Sequence, residues 1–559
     1  MNENETHIVR LTTNELRLIS GLLCYCRLGL QNDSELRVAL HSLFELVSNF
    51  VPEAGIWMNT QRPEWNDANN ALVGYGVSMV TLYYTRRYQQ YLLDLFSEVE
   101  FDQVDISTEL VELLNSINST FVDSRDLLDG KISDKDRGLM LGRLGRAADT
   151  FRAGIYADGF VGERVAVKTA DLIAFCETSL EFIDHSIRAN RREDGLYHAY
   201  NLMTATDDGV EITYLYEMLE GQVAVLSSGC LSPEESLAVL DVLRQSDLYT
   251  ARQNSYLLYP DRELTRFMDK NIIPAADVQR SALLQALVSA GDTSLIESNS
   301  EGGYHFNGAF NNVMSAQSAM QTLADNGYAD LVAQDQTLVE EIFESVFNHR
   351  QFTGRSGGMY AYEGLGSIYW HMVSKLLLAV METVKSAEQS GAPADVMGGL
   401  KRVYYDVREG IGFNKTPDVY GAFPTDPYSH TPGFSGARQP GMTGQVKEEV
   451  LTRLLELGVT VDHAQVTFNP TMLRASEFLQ NDEDLHYFDT AGAPQFLTLS
   501  RGQLGFTYCQ VPVVMAFASQ PSIRIQWVDG TDVLLEGSTL SVEQSEALFK
   551  KTGVIKRLD

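Results

Sequence analysis

Apolar residues recur every three or four positions through most of this chain, a period that predicts helices. The periodic stretches fall near 35–50, 69–98, 104–121, 134–155, 166–190, 211–227, 232–245, 274–290, 311–326, 335–348, 363–389, 392–408 and 444–458. Upstream, Thr12-Thr13-Asn14-Glu15 has the form of a capping box ahead of the apolar-periodic Leu16–Leu30. Gly, Asn, Asp and Pro punctuate the pattern. The connections at 191–210, 297–311, 350–362 and 411–443 are long and carry aromatic residues. Long connections on a rigid frame tend to carry function. After about residue 464 the period shortens to two. Val466-Thr467-Phe468, Gln495–Leu499, Gly505–Gln510, Val513–Ala518, Ile523–Trp527 and Val533-Leu534-Leu535 read as strands, with turns such as Val528-Asp529-Gly530. The expectation is a mostly α protein with a helical domain over 1–464 and a small β-domain over 465–559. Many helices of similar length in series suggest helical hairpins arranged in a toroid.

Composition narrows the function more than the fold. The 559 residues can bury large cores and leave room for two to four domains. No apolar run approaches the roughly 18 residues of a membrane span, and MNENETHIVR has no apolar core of a secretory signal. The expected location is therefore cytoplasmic. A net charge of −32 repels phosphate backbones and anionic lipid, which argues against nucleic acid or membrane as the main partner and suits a neutral glycan. Cys24, Cys26, Cys176, Cys230 and Cys509 fit neither a disulfide framework nor a metal-ligand spacing, so reduced thiols are expected. The ten His include no HExxH-type spacing, and no P-loop or GxGxxG after a strand is present, so neither metal nor nucleotide cofactor is expected.

Candidate chemistry begins at Trp65-Asn66-Asp67, followed by Gly74-Tyr75-Gly76-Val77-Ser78. An aromatic, an amide and an acid in succession suit stacking on a pyranose, hydrogen bonding to its hydroxyls and protonation of a leaving oxygen. The same residues also suit a helix start with Asn66 or Asp67 as the cap. Four later segments share this texture: Asp194–Asn201, Gly302–Gly308, Gly354–Gly364 and Tyr420–Gln445. Glycines let backbone N–H groups approach a ligand, while aromatics and amides read sugar rings. Aromatic–Gly loops also simply cover the ends of helical barrels. His198, His305, His371 and His430 each suit a structural hydrogen bond as well as a ligand contact. Trp370-His371-Met372 lies in an apolar helix, which favours core packing. Glu363 fits a first-turn helix acid as well as a catalyst.

Taken in order, these segments resemble the cellobiose phosphorylase family of inverting glycoside phosphorylases, which includes chitobiose and β-1,2-oligoglucan phosphorylases. Trp65-Asn66-Asp67 matches that family's Trp-Asn-Asp motif, which implies Asp67 as general acid beside Trp65 and Asn66. Tyr197-His198-Ala199-Tyr200 looks like its Tyr-Arg-Arg-Ala-Tyr segment, one residue shorter and with His198 for Arg. The stretch Glu220–Gly229 looks like its Gln-Ser-Trp-Ala helix, and Gly357-Gly358-Met359-Tyr360 like its Asn-Gly-Gly-x-Tyr loop. Met442-Thr443-Gly444-Gln445 looks like its phosphate-binding Thr-Gly-Thr turn. The resemblance implies an (α/α)6-type toroid followed by a jelly-roll-like β-sandwich, with Tyr197, Tyr200, Tyr360, Tyr362 and Glu363 on the substrate side and Thr443, Gly444 and Gln445 at phosphate.

The departures concern phosphate. The family's Lys-Glu pair is absent where Arg355 and Ser356 stand, and its phosphate-contacting His is Tyr362 here. Arg355 and Arg438 are replacement anion ligands on chemical grounds, because a guanidinium matches phosphate oxygens bidentately. Only 64 residues precede Trp65, whereas the family carries a β-sandwich and half the barrel there. A homodimer or a missing N-terminal half is the corresponding expectation. The implied reaction is phosphorolysis of a β-linked gluco-oligosaccharide to an α-sugar 1-phosphate, with inorganic phosphate as co-substrate and no cofactor. One carboxylate suffices, provided burial or a neighbouring negative charge such as Glu64 keeps Asp67 protonated. An inverting hydrolase on the same fold would need a second carboxylate, Glu363 or Asp426, roughly 6.5–9.5 Å away. A non-catalytic sugar-binding chain is the third alternative.

Overall fold

Serine side chains cap the starts of several helices in the computed structural model, which describes residues 33–58, 74–260, 271–310, 312–347, 368–411 and 443–559. Helix α1 (Asp33–Val47) precedes the short strands β1 (Phe50–Val51), β2 (Gly55–Trp57) and β3 (Gly76–Ser78). Ser78 caps α2 (Met79–Glu98) by accepting from the Thr81 N–H. Strand β4 (Gln103–Ser107), helices α3 (Thr108–Asp123) and α4 (Asp134–Asp158), strand β5 (Arg164–Lys168) and helix α5 (Thr169–Ala189) follow. Next come β6 (Tyr200–Thr206), β7 (Gly209–Tyr214) and α6 (Leu219–Ser227). Ser232 and Glu235 then form a capping box on α7 (Pro233–Gln245), ahead of the hairpin β8 (Tyr249–Thr250) and β9 (Ser255–Tyr256).

Four helices start later than their apolar period predicts, because the chain enters each of them through a strand. These are the stretches near 69–98, 104–121, 166–190 and 211–227, entered through β3, β4, β5 and β7. Val104 and Ile106 alternate with Gln103, Asp105 and Ser107, and pairing with β5 buries Val104, Ile106 and Val167 together. That pairing joins residues far apart in sequence, so local periodicity does not report it. Strands β1, β2, β3, β6 and β7 form one antiparallel sheet in that order. At the β6–β7 turn Gly209 has φ +144°, and a Cβ there would meet the Asp134 carbonyl oxygen at 2.2 Å, so the position admits only glycine.

A buried ionic knot fastens this sheet to the helices. Glu53, in the β1–β2 turn, is 5% exposed. Its carboxylate accepts from Arg137 Nη2 (3.0 Å) on α4 and from the Ile132 N–H (3.0 Å), and it lies 3.2 Å from His185 Nε2 on α5. Arg137 also donates to the Pro52, Val210 and Ile132 carbonyls. Both charges are thus paired and hydrogen-bonded, which burial of charge requires.

Beyond β9 the chain builds a unit with its own hydrophobic core. Helices α8 (Ala275–Arg280) and α9 (Ala282–Ala290), strands β10 (Ile296–Ser298) and β11 (Tyr304–Phe306), and helices α10 (Val313–Leu323) and α11 (Ala329–Phe347) enclose Leu283, Leu284, Leu287, Met320, Val339 and Phe343. Asn271, at the unit's beginning, donates to the Phe306 carbonyl, and the Phe306 ring packs on Phe343 and Phe347 at its end. Both ends of the unit therefore meet at one residue. Within the span read from sequence as helical domain, this cluster is separate from the main core. Asp335 is 3% exposed and accepts from Ser281 Oγ and the Leu283 N–H, each at 2.8 Å, at the start of α9. Asp335→Ala is expected to cost this unit about 1–3 kcal/mol, the cost of orphaning buried donors. Hydrogen exchange should then quicken over 282–290 and stay unchanged in α2 and α5.

Helices α12 (Trp370–Ser390), α13 (Ala394–Glu409) and α14 (Thr443–Glu456) complete the helical part. Hairpins β12 (Val459–Asp462) with β13 (Gln465–Phe468) and β14 (Glu483–Phe488) with β15 (Pro494–Leu499) open the strand-rich region. Strands β16 (Gln503–Tyr508), β17 (Val511–Ala516), β18 (Ser522–Trp527) and β19 (Asp532–Glu536) follow, then α15 (Val542–Phe549) and β20 (Ile555–Leu558). The sheet order is β16-β17-β20-β18-β19, with β20 parallel to β17 and antiparallel to β18. The predicted strands of this region are thus present, with β12, β14, β20 and α15 added.

Candidate functional site

Helices α2, α6, α12 and α14 pack in series. Contacts at two levels show that α2 and α6 run the same way. The Met79 and Val80 N–H groups at the start of α2 donate to the Ala199 carbonyl (3.0 and 3.1 Å). Gly221, in the first turn of α6, sits so close that a Cβ would lie 2.9 Å from that of Ala199. Two turns further on, Arg86 of α2 donates to the Ser228 carbonyl just past α6. Glu382 of α12 accepts from both Arg87 and Ser227 (2.8 and 2.7 Å). His371 and Glu448, near the starts of α12 and α14, face each other at 3.5 Å. Helix α5 backs α2 in the opposite sense, through Arg86–Asp184 and Gln89–Ser179 contacts.

The starts of α2 and α6 therefore lie together, and those of α12 and α14 meet through His371 and Glu448; a helix start carries a partial positive charge. Each of the four is entered from a segment that sequence chemistry singled out. The segment holding Trp65, Asn66 and Asp67 leads through β3 into α2, and Asp194–Asn201 leads through β6 and β7 into α6. Gly354–Gly364 precedes α12, and Tyr420–Gln445 runs into α14. Gly302–Gly308 does not join them. It forms the β10–β11 turn of the separate unit, where the His305 ring nitrogens contact the Asn271 carbonyl (2.7 Å) and Asn299 Nδ2 (2.9 Å).

Trp65, Asn66, Asp67, Arg355, Tyr360, Tyr362, Glu363, Asp426, His430 and Arg438 lie outside the described residues. The two ends of the first segment are nonetheless placed. The Gly74 N–H donates to the Met58 carbonyl (2.7 Å), and the Met58 N–H to the Gly76 carbonyl (2.9 Å). Strand β3 then pairs with β6 in a register that sets Ser78 opposite Tyr200. Thr443, Gly444 and Gln445 form the first turn of α14, where backbone N–H groups suit an anion.

Tyr200 and Tyr197 have different surroundings. The Tyr200 hydroxyl donates to Glu220 Oε2 in the first turn of α6 (2.9 Å). Tyr197 is 3% exposed and belongs to the main core. Its backbone is held by the buried Gln222 amide, which accepts from the Tyr197 N–H (2.9 Å) and donates to its carbonyl (2.8 Å). His198 stacks on Tyr214 with ring centres 4.5 Å apart. Burial, helped by Arg192, pushes its pKa down to about 4, so the ring is neutral at physiological pH and does not reproduce the charge of an Arg.

Sequence reading missed Glu220 and Glu448 as individual site candidates. Glu220 is an acid at the second position of a short apolar helix, and that position was the available signal. Glu448 gave none, since it lies in an amphipathic helix among other acids. Among the described residues no cluster of three or more His, Cys, Asp or Glu could hold a metal, and no helix is long and apolar enough to cross a membrane.

Residues 264–350 match the family model described as GH149 phosphorylase insertion domain 2. The match falls on the unit between Asn271 and Phe347 that carries its own core. It supports a carbohydrate-active enzyme of the glycoside phosphorylase class. No curated protein matches the chain.

Proposed function

We propose that this chain is an inverting glycoside phosphorylase acting on a β-linked gluco-oligosaccharide. The observation that carries the reading is the match of residues 264–350 to a phosphorylase insertion domain. The entry of two sugar-type segments into the adjacent starts of α2 and α6 supports it, as does the anchoring of the Asp67 segment on the strand beside Tyr200. In this reading Asp67 protonates the glycosidic oxygen while phosphate attacks the anomeric carbon from the opposite face. The products are an α-sugar 1-phosphate and a shortened acceptor. Trp65, Asn66, Tyr200 and Glu220 hold the sugar, and the first turn of α14 with Arg355 holds phosphate. The helical part, read as residues 1–464, closes into a toroid beside a jelly-roll-like 465–559, and the sugar phosphate is retained in the cytoplasm.

The test is incubation with gluco-oligosaccharides of each β-linkage, with and without inorganic phosphate. Sugar 1-phosphate should form only with phosphate, and the α-sugar 1-phosphate plus an acceptor should release phosphate in reverse. Turnover that ignores phosphate would mean hydrolysis instead.

A further inference from the structure

A cleft of about 330 Å³ lies on the seam between the helical part and the strand-rich region, and the mechanism above does not use it. Its lining is Lys401, Arg402, Tyr405, Asp406 and Glu409 of α13, with Arg474 of the segment that joins β13 to β14. That segment is fastened to the helices around the cleft. Met472 is buried in the main core, and its carbonyl accepts from the Tyr405 hydroxyl. The Thr471 carbonyl accepts from Lys401 Nζ (3.0 Å), which also lies 3.6 Å from Glu388 near the end of α12. A helix rises roughly 27 Å from Trp370 to Glu388, so the cleft is far from the helix starts assigned to the reaction. Charge sets it apart as well. The chain carries 43 basic against 75 acidic residues, yet three of the six lining residues are cations. Lys401 is paired with Glu388, and Asp406 with Arg244 (3.4 Å). The Arg402 side chain makes no hydrogen bond or ion pair among the described residues. Arg474 lies 3.8 Å from Glu409, and its guanidinium stacks 3.4 Å from the centre of the Tyr405 ring. A guanidinium stacked in this way keeps its N–H edge for other partners.

We propose that this cleft is a second binding site, separate from the reaction site, for a sugar phosphate. Arg402 and Arg474 hold the phosphate, whose oxygens a guanidinium fork matches bidentately. Asp406 and Glu409 accept from the sugar hydroxyls, which a bare phosphate does not offer. The identity of the ligand rests on the phosphorylase reading, whose product has this chemistry. Bound here, the ligand ties α13 to Arg474 across the seam, so the product level sets how firmly the two regions are joined.

The experiment follows hydrogen exchange of the full chain with α-glucose 1-phosphate, glucose or inorganic phosphate added. Exchange over 401–409 and 471–477 should slow with the sugar phosphate, and far less with either of the others at equal concentration. Arg402→Gln should raise the concentration for half-maximal slowing about ten- to a hundredfold, what loss of one charge-assisted hydrogen bond costs. Its turnover of oligosaccharide should stay near wild type, since Arg402 lies outside the reaction site. Arg474→Gln should act likewise. If that variant loosens the seam by itself, Arg402→Gln decides alone, since its side chain supports no other contact. Three results overturn the proposal and leave the phosphorylase reading standing: slowing confined to other segments, slowing at the cleft that Arg402→Gln does not change, or equal slowing by inorganic phosphate. Phosphate-independent turnover of the wild type overturns the phosphorylase reading instead. Slowing at the cleft by the sugar phosphate, weakened in Arg402→Gln, would establish the site even then.

Discussion

Asp67→Asn is expected to lower turnover of the natural oligosaccharide by about two to four orders of magnitude, the range lost when a positioned general acid is removed. The amide keeps the shape and hydrogen bonding of the carboxyl but has no proton to give. The diagnostic readout is a pair of substrates. An aryl β-glucoside whose phenol is a good leaving group needs little protonation, so the variant should retain far more activity on it than on the oligosaccharide. Equal losses on both substrates would point to a binding or folding defect. Wild-type activity on the oligosaccharide would remove Asp67 from the mechanism.

The second large effect concerns stability. Glu53→Ala leaves the Arg137 guanidinium buried with Asp134 as its remaining carboxylate partner, and Asp134 is half exposed. Breaking a buried pair from one side costs about 3–5 kcal/mol, because the remaining charge stays desolvated. Chemical denaturation should show the loss in the transition of the helical part. The double variant Glu53→Leu, Arg137→Met should recover part of it, since no charge is left buried alone, although the Pro52, Val210 and Ile132 carbonyls and the Ile132 N–H lose their partners. If the single variant unfolds like wild type, the knot contributes little.

How far the sequence could be read depended on whether a feature was local. The helices α3, α4, α7, α12 and α13 were legible because each repeats one apolar face within itself. The β6–β7 hairpin was not, because local patterning makes Tyr200–Tyr214 partly a loop and partly the head of a helix. Its strand state depends on pairing with β3, more than a hundred residues earlier. The separate core between Asn271 and Phe347 was also hidden, since its helices have the same composition as their neighbours. For the candidate site, sequence chemistry found the segments but not their partners. Tyr200 was singled out and Glu220 was not, although the two touch. The company of Trp370 and Met372, both of which are buried, favours core packing for His371. The ring itself faces Glu448 from a helix that starts far along the chain, a relation only the fold supplies.

The meeting of Asn271 and Phe347 at Phe306 bears on how the chain folds. Helix α6 packs against α12, and α7 against α13, across the whole stretch from Tyr256 to Trp370. Closing a disordered loop of that length costs entropy that grows with the logarithm of its length. A unit with its own core, whose first and last described residues both touch Phe306, would replace the long loop with a shorter one if it folded first. The two halves of the helical part then search for each other as near neighbours. The unit would in this way act as a folding staple: replacing it by a short linker should leave the denaturation midpoint of the helical part near that of the intact chain, while unfolding it in place should cost about 1 kcal/mol of loop-closure entropy.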